Sequence, residues 1–144
     1  PRSKRMKTYQ GSCFCGAVAF EADGDLADGT MRCNCSFCRK MRYWDLRLPD
    51  PSGFRVLRGE DMLAETPPSR PSQGGSDHMH HYFCKSCGTR LWTHGNIAEM
   101  GGEFRAVFVP ALNATETELI AAPVAWLDGA HDNWWNPAPE TRHL

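Results

Sequence analysis

Seven cysteines, gathered in three short groups, constrain this chain more than any other feature of its sequence. The groups have the spacings Cys13-x-Cys15, Cys33-x-Cys35-x2-Cys38 and Cys84-x2-Cys87. Because seven is an odd number, a complete set of disulfides would leave one cysteine unpaired. In a reducing compartment disulfides are rare, and clustered cysteines more often bind a metal ion. The spacing therefore predicts metal sites.

The strongest local signal is the segment "FCKSCGT". In it Cys84, Cys87 and the following glycine predict a tight turn with both sulfurs aimed at one point. Such a turn supplies two of the four thiolates of a closed tetrahedral zinc site. Cys13 and Cys15 are the natural partners, although in a straight strand two such residues lie about 6.6 Å apart. The chain must therefore bend at this pair, and the glycines on either side of it permit the bend.

The remaining cysteines, Cys33, Cys35 and Cys38, lie in one short loop. Four protein ligands close a structural zinc site, whereas three leave one position open, as in catalytic sites. A helix start at Ser36 would add a small positive potential near these sulfurs. The seven cysteines are therefore predicted to hold two zinc ions per chain, one in a closed site and one in an open site.

Two other interpretations of the three-cysteine group stay open at this point. A histidine could close the group into a second structural site, and the candidates are His78, His80, His81 and His94. Alternatively, the cysteines could be partitioned differently, or the three could form a redox group without a metal. A protein side chain as fourth ligand would indicate structure, and a bound water or thiol would indicate chemistry.

The hydrophobic pattern predicts a mainly β fold in one domain over residues 1–144, with residues 1–8 as a flexible N-terminal arm. Strands are predicted over residues 11–22, with a cysteine turn at the start, from Met31 onward, and over "YWDLRL", "FRVLRG", "HMHHYFC", "TRLWTH", "EFRAVFV" and "APVAWL". Ser36 is expected to cap one or two helical turns, "SFCRKM". Residues 66–77 form the most loop-like stretch, which predicts a functional or mobile loop.

Charge and hydropathy argue against several classes of partner. The formal net charge is −1 and no long charge block occurs, so neither a nucleic acid nor a membrane surface is favoured. No stretch approaches the roughly 20 apolar residues of a membrane-spanning helix, and no signal-peptide pattern is present, so a cytoplasmic location is expected.

Trp134 and Trp135 cannot both face the core of a strand, so one is expected to cover a pocket or a partner subunit. A homo-oligomer is thus allowed.

The three segments "GSCFCGAVAFE", "RCNCSFCRK" and "YFCKSCGTRLW", in this order, resemble the glutathione-dependent formaldehyde-activating enzyme (GFA) family, also called the CENP-V domain family. The resemblance implies an Mss4-like (β-tent) fold, with small antiparallel sheets around a zinc-knuckle pair and few short helices. It also implies which cysteines bind which zinc. The structural zinc maps onto Cys13, Cys15, Cys84 and Cys87, and the zinc associated with catalysis maps onto Cys33, Cys35 and Cys38.

The resemblance further implies an activity. The reaction named for the family is the addition of the glutathione thiol to formaldehyde. Its enzymes are classed as carbon–sulfur lyases after the reverse direction. Because glutathione carries two carboxylates, a basic rim is expected, and Arg39 and Lys40 are its predicted members. Asn34 stands where relatives often have histidine. We therefore expect a zinc-dependent lyase that acts on a glutathione or other small-thiol adduct of an aldehyde. The alternative is a non-catalytic zinc module for partner binding or metal handling.

Overall fold

The computed structural model describes residues 6–67 and 79–144, and most of them lie in or between eleven strands. The strands are β1 (Lys7–Ser12), β2 (Ala19–Gly24), β3 (Thr30–Cys33), β4 (Asp45–Arg47), β5 (Phe54–Arg58), β6 (Leu63–Glu65), β7 (Met79–Cys84), β8 (Arg90–Ile97), β9 (Gly102–Phe108), β10 (Val124–Asp128) and β11 (Asn133–Pro137). The α-helices in this part of the chain are α1 (Ser36–Met41) and α2 (Glu116–Ala121). The mainly β prediction is confirmed. No helix within the described ranges is long and apolar enough to cross a membrane.

The strands form two sheets. The smaller sheet has the order β1-β2-β5, and the larger has the order β11-β10-β3-β4-β9-β8-β7-β6. Neighbouring strands run antiparallel except β3 and β10, which pair in parallel over Val124↔Thr30 to Leu127↔Cys33. This pair was not predicted. A parallel pair needs a long connection between its strands, and no local sequence pattern reports such a connection.

The core lies where the smaller sheet packs against the larger one. Phe20 of β2 and Phe54 of β5 contact the Trp92 ring of β8, with ring centroids 5.5 and 4.7 Å apart. Phe20 is fully buried, as are Leu91 and Val107 of the larger sheet. Burial of one such side chain contributes about 1.5–3 kcal/mol. The interlocked rings therefore hold the two sheets in a fixed relation.

The N-terminal part of the chain differs from the prediction in two ways. The predicted strand over residues 11–22 is a hairpin, in which β1 ends at Ser12, β2 begins at Ala19 and the first cysteine group forms the turn. The cysteine turn that was predicted at the start of this strand is present, but the alternation concealed that the strand begins only after the turn, at Ala19. The predicted arm is also too long, because Lys7 and Thr8 already pair with Gly24 and Asp23.

Most of the other predicted strands and the predicted helix are present in the structure. The predicted strands at β3, β4, β5, β7, β8, β9 and β10 are confirmed. The helix predicted at "SFCRKM" is confirmed as well, but its N-cap is Cys35 and not Ser36. Strands β6 and β11 were missed, and so was α2, although Thr115 and Glu118 carry the signature of a capping box. Most of the predicted loop over residues 66–77 lies outside the described residues.

Candidate functional site

Two similar turns bring the first and third cysteine groups together. Cys13 begins the turn between β1 and β2, and its carbonyl accepts a hydrogen bond from Gly16 N at 3.1 Å. Cys84 begins the turn between β7 and β8, and its carbonyl accepts one from Gly88 N at 2.7 Å. Both glycines have left-handed φ values, 82° and 80°, which side chains disfavour. The glycine after each cysteine pair is therefore what lets the turn close.

The four sulfurs of these turns form one cluster. The Sγ atoms of Cys13, Cys15, Cys84 and Cys87 all lie within 4.8 Å of one another. The Cys13–Cys15 and Cys15–Cys84 separations are 3.6 and 3.8 Å. The Thr89 hydroxyl lies 3.1 Å from Cys87 Sγ, and this hydrogen bond is the main cause that lowers the pKa of Cys87 to about 5. The cluster could hold a metal ion, and it joins a turn of the smaller sheet to a turn of the larger one.

The second cysteine group forms a separate cluster at the start of α1. The sulfurs of Cys33, Cys35 and Cys38 also lie within 4.8 Å of one another. Cys35 Sγ accepts a hydrogen bond from Cys38 N at 3.3 Å, and Cys33 Sγ accepts one from Cys35 N at 3.5 Å. Hydrogen bonds with Cys33 and Cys38 lower the pKa of Cys35 to about 2, whereas hydrogen bonds with Cys33 and Cys35 raise the pKa of Cys38. These contacts thus favour a thiolate at Cys35 alone, since the hydrogen bond with Cys35 also raises the pKa of Cys33.

Asn34 fixes this cysteine loop to the neighbouring part of the sheet. Its Nδ2 donates to the buried carboxylate of Asp128 at 2.8 Å, and its Oδ1 accepts from Ala130 N at 2.8 Å. Its backbone N–H donates to the Leu127 carbonyl at 3.2 Å. Asn34 is not a member of either sulfur cluster. Its contacts assign it the role of holding the loop against the end of β10, a role that the sequence did not reveal.

Gly129 lies so close to Cys33 that a side chain at position 129 should disturb this cluster. A Cβ at position 129 would lie 2.6 Å from Cys33 Sγ and 2.6 Å from the Trp134 ring. We expect Gly129→Ala to displace the Cys33 sulfur and to weaken metal binding by the three-cysteine cluster by about tenfold or more, while the four-cysteine cluster is unaffected. Chelator competition followed by elemental analysis of bound metal measures this.

Gly24→Ala is the matched control, because a Cβ there meets its nearest atom, Leu46 Cδ2, at an ordinary 3.5 Å. Equal chelator resistance of Gly129→Ala and wild-type protein would contradict the placement of Gly129 against Cys33.

A cavity of about 630 Å³ opens beside the three-cysteine cluster, and all three cysteines line it. More than half of the other lining residues are apolar: Met31, Met79, Met100, Phe104, Ala106, Leu127, Trp134 and Trp135. The two tryptophans come from β11, near the end of the chain, and Trp135 is 84% exposed. The prediction that one of this pair covers a pocket is confirmed, and in fact both line it.

One of the four candidate histidines reaches this cavity. His81 of β7 lines it, its ring centroid lies 4.7 Å from that of Phe37 on α1, and its Nδ1 lies 2.9 Å from Thr93 Oγ1. Burial, with the nearby Arg90 charge, lowers the pKa of His81 to about 4, so the imidazole is neutral near pH 7. Within the described part of the chain, no histidine nitrogen belongs to the three-sulfur cluster. His81 therefore lines the cavity without belonging to the cysteine cluster.

Of the other candidate histidines, His80 and His94 lie away from the cavity. His80 pairs with Glu65 on β6, and His94 Nε2 lies 3.1 Å from Glu103 of β9. Neither lines the cavity. His78 lies outside the described residues. Cross-strand pairing is thus the visible role of His80 and His94.

The charged residues of the cavity are not those the sequence singled out. Arg39 and Lys40 are exposed on α1 and do not line the cavity. Arg32, Asp45, Arg47 and Glu99 do line it. These four residues are scattered through the sequence and match no motif. Alternation along β4 was the one signal available, since it places both Asp45 and Arg47 on one face of the sheet.

Comparisons with known proteins agree with this arrangement. The sequence profile of the family described as glutathione-dependent formaldehyde-activating enzyme matches residues 8–127, a range that contains every cysteine. The chain is also similar to a crystal structure of a Rhodobacter sphaeroides protein at 28% identity and a TM-score of 0.62, covering 81% of this chain and 99% of that one. No curated protein matches. Because the profile spans most of the chain and all three cysteine groups, this protein belongs to the GFA family, as its motifs predicted.

Proposed function

We propose that this protein forms or breaks the carbon–sulfur bond of an adduct between a small thiol and an aldehyde, as in S-hydroxymethylglutathione. The reaction would take place at the three-cysteine cluster. The family supports the class of reaction. The observation that carries the proposal is that three clustered thiols line a cavity of about 630 Å³, while no fourth side chain of the described residues completes their cluster. An exogenous ligand has both room and a position to fill.

Thiolate ligands suit zinc at both clusters, and the sulfur separations of the four-cysteine cluster support it further. In a tetrahedral thiolate site with Zn–S bonds of about 2.3 Å, the sulfurs lie about 3.8 Å apart. The Cys13–Cys15 and Cys15–Cys84 separations of 3.6 and 3.8 Å match this geometry. Cys13, Cys15, Cys84 and Cys87 would hold a closed structural zinc. Cys33, Cys35 and Cys38 would hold a second one, which supplies a Lewis acid that favours the deprotonated form of a bound thiol.

The chain's own residues define what happens to the adduct. In the breaking direction the hydroxyl of the adduct loses its proton, the carbon–sulfur bond breaks, and its electron pair passes to sulfur, which takes up a proton as the free thiol leaves. The apolar walls of the cavity contact the carbon atoms of the adduct and exclude water from its carbon–sulfur bond. His81, neutral and held by Thr93, adds no cation beside the cysteines.

The proposal includes a glutathione-type thiol as partner and a cytoplasmic location. All seven cysteines are free, which suits a reducing compartment. Arg39 and Lys40 stay candidates for binding thiol carboxylates, but they would do so over the outer face of α1, because neither lines the cavity.

Cys38→Ser tests the proposal directly. We expect the variant to bind one zinc per chain where wild-type protein binds two, to lose glutathione binding, and to keep the fold, because Cys38 lies outside the main core cluster. Elemental analysis on protein purified without chelator and titration calorimetry with glutathione measure the first two. Far-ultraviolet circular dichroism checks the third.

Persistence of thiol binding in Cys38→Ser would exclude the three-cysteine cluster as the reaction site. A wild-type protein with one tightly held zinc, indifferent to glutathione, would instead support the alternative of a non-catalytic zinc module.

A further inference from the structure

The cavity has two ends, and the three cysteines occupy only one of them. Met31 of β3 pairs with Asp45 of β4, and the two strands are antiparallel. Cys33 lies two residues beyond Met31, and Arg47 lies two residues beyond Asp45 in the opposite direction. Because each residue of a strand advances about 3.4 Å, the Cα atoms of Cys33 and Arg47 are about 14 Å apart along the sheet. A ligand bound at both ends must carry its second binding group many bonds from its sulfur.

Arg47 brings unused hydrogen-bond donors to the end of the cavity that lies far from the cysteines. Its Nη2 donates to the Met100 carbonyl at 2.6 Å, and its guanidinium lies 5.1 Å from the centroid of the Phe104 ring. Among the described residues it has no other hydrogen-bond partner and no ion pair, whereas a guanidinium has five N–H donors. Such a planar fork of donors suits a carboxylate. Arg47 also borders a second cavity, but the carboxylates there disfavour an anion: Asp25, Asp28 and Glu103.

Glu99 brings the opposite charge to the same end. It lines the cavity and immediately precedes Met100, whose carbonyl accepts the hydrogen bond from Arg47. Glu99 is exposed, and within the described part of the chain its carboxylate has no hydrogen bond and no ion pair, with Arg47 or with any other residue. A positive and a negative group thus lie near each other without pairing. Together they are complementary to a ligand group that carries a carboxylate and an ammonium on one carbon atom.

Arg32, the other arginine that borders the cavity, is placed differently. It lies between Met31 and Cys33 on β3, so alternation directs its side chain to the opposite face of the sheet. There its guanidinium lies over the rings of Trp44 and Trp126, 4.9 and 5.7 Å from their centroids. Arg32 therefore borders the cavity at the cysteine end and adds no charge to the opposite end.

We propose that Arg47 and Glu99 bind the α-amino-acid group of a γ-glutamyl thiol, Arg47 at its carboxylate and Glu99 at its ammonium, while the sulfur lies at the three cysteines. This inference rests on the proposed function and names the class of thiol. The γ-glutamyl group places both charges at the end of a long, flexible arm, whose methylene groups suit the apolar residues of the wall. Cysteine carries the same two charges close to its sulfur and is too short to contact both ends.

Three peptide thiols test the inference on zinc-loaded protein at pH 7. Glutathione is compared with γ-aminobutyryl-cysteinylglycine, which lacks only the α-carboxylate, and with glutaryl-cysteinylglycine, which lacks only the α-ammonium. Titration calorimetry gives each dissociation constant. We expect each analogue to bind the wild-type protein about tenfold more weakly than glutathione does, a typical effect of losing one hydrogen bond between charged groups.

Substitutions in the protein should reproduce these losses selectively. We expect Arg47→Gln to weaken glutathione binding by about tenfold and to leave the γ-aminobutyryl analogue unchanged, because that analogue has no α-carboxylate to lose contact with. Glu99→Gln should weaken glutathione binding in the same way and bind the glutaryl analogue no more weakly than wild-type protein does. Both side chains are exposed, so the variants should fold.

Arg55→Gln is the matched control, because it removes the same charge from the smaller sheet. Arg55 pairs there with Glu21 and Asp23 and does not line the cavity. The affinities of all three thiols should stay unchanged in this variant.

Equal affinity of wild-type protein for the three thiols would overturn the inference. So would an equal loss of glutathione and γ-aminobutyryl-analogue binding in Arg47→Gln, or a selective loss in Arg32→Gln in place of Arg47→Gln. The proposed function would survive each of these results, because it depends on the loss of glutathione binding in Cys38→Ser. A zinc-loaded wild-type protein that bound none of the thiols would overturn both.

Discussion

Cys84→Ser lowers the melting temperature by about 10 °C or more, or prevents folding, if the four-cysteine cluster holds a structural zinc. Cys84 is fully buried, and its sulfur lies 3.8 Å from Cys15 Sγ. The cluster joins the turn of the smaller sheet to a turn of the larger one, so its loss releases both. Structural zinc contributes on the order of 10 kcal/mol to small zinc domains. Even about 3 kcal/mol would shift the melting temperature by about 10 °C in a domain of this size.

Thermal unfolding followed by circular dichroism measures this effect, with bound metal determined on the same samples. Cys38→Ser is the matched comparison, because it removes one thiol from the other cluster. We expect it to melt within a few degrees of wild-type protein. If Cys84→Ser and Cys38→Ser lowered the melting temperature equally, the division into a structural and a reactive cluster would be wrong.

The second large effect is a loss of stability as the pH rises from about 4 to about 7, caused by Asp45. Burial raises the folded-state pKa of this carboxyl from 3.8 to about 7. Between these two values the folded protein binds a proton that the unfolded chain has released. Stability from this group is therefore complete below about pH 4 and declines by roughly 1.4 kcal/mol per pH unit until the folded pKa is passed.

Other groups near Asp45 titrate or carry charge, so the measurement must isolate its contribution. They are Tyr43, Arg47, Arg32, Cys33, His81 and Glu99. Asp45→Asn keeps these groups and removes only the protonation equilibrium of residue 45. We expect the free energy of unfolding of Asp45→Asn minus that of wild-type protein to grow from pH 5 to pH 7, in urea titrations at each pH. A difference that stays constant across this range would show that Asp45 does not carry the shift.

The cysteine chemistry could be predicted from the sequence because its determinants are local. Each pair of ligands lies within a few residues, and a glycine directly after the cysteines reports the left-handed turn that aims them. Counting seven cysteines then left a group of three, and the structure brings the groups together as four and three. The strands with clear alternation, such as β8 and β9, could be predicted for the same reason, since alternation is also a local pattern.

Other features depend on contacts that no local pattern records. The turn at the first cysteine group was predicted, but the pairing of β1 with β2 across it was not, because the alternation of residues 11–22 extends across the turn. The role of Asn34 depends on Asp128 and Ala130, which lie almost 100 residues away. Arg39 and Lys40 follow the cysteines directly in sequence, but neither lines the cavity, and Arg39 instead lines a small pocket on another side of Cys33 and Cys38.

By itself the sequence determined a mainly β domain, the two groups of clustered cysteines and the family, because turn chemistry, strand period and cysteine spacing all act over short stretches of chain. Tertiary structure alone decided the parallel pairing of β3 with β10 and the cavity at that end of the larger sheet. Asp45, His81 and Trp134 meet there from three distant segments. Their meeting follows from the order of strands in the sheet, and that order results from packing the whole chain at once.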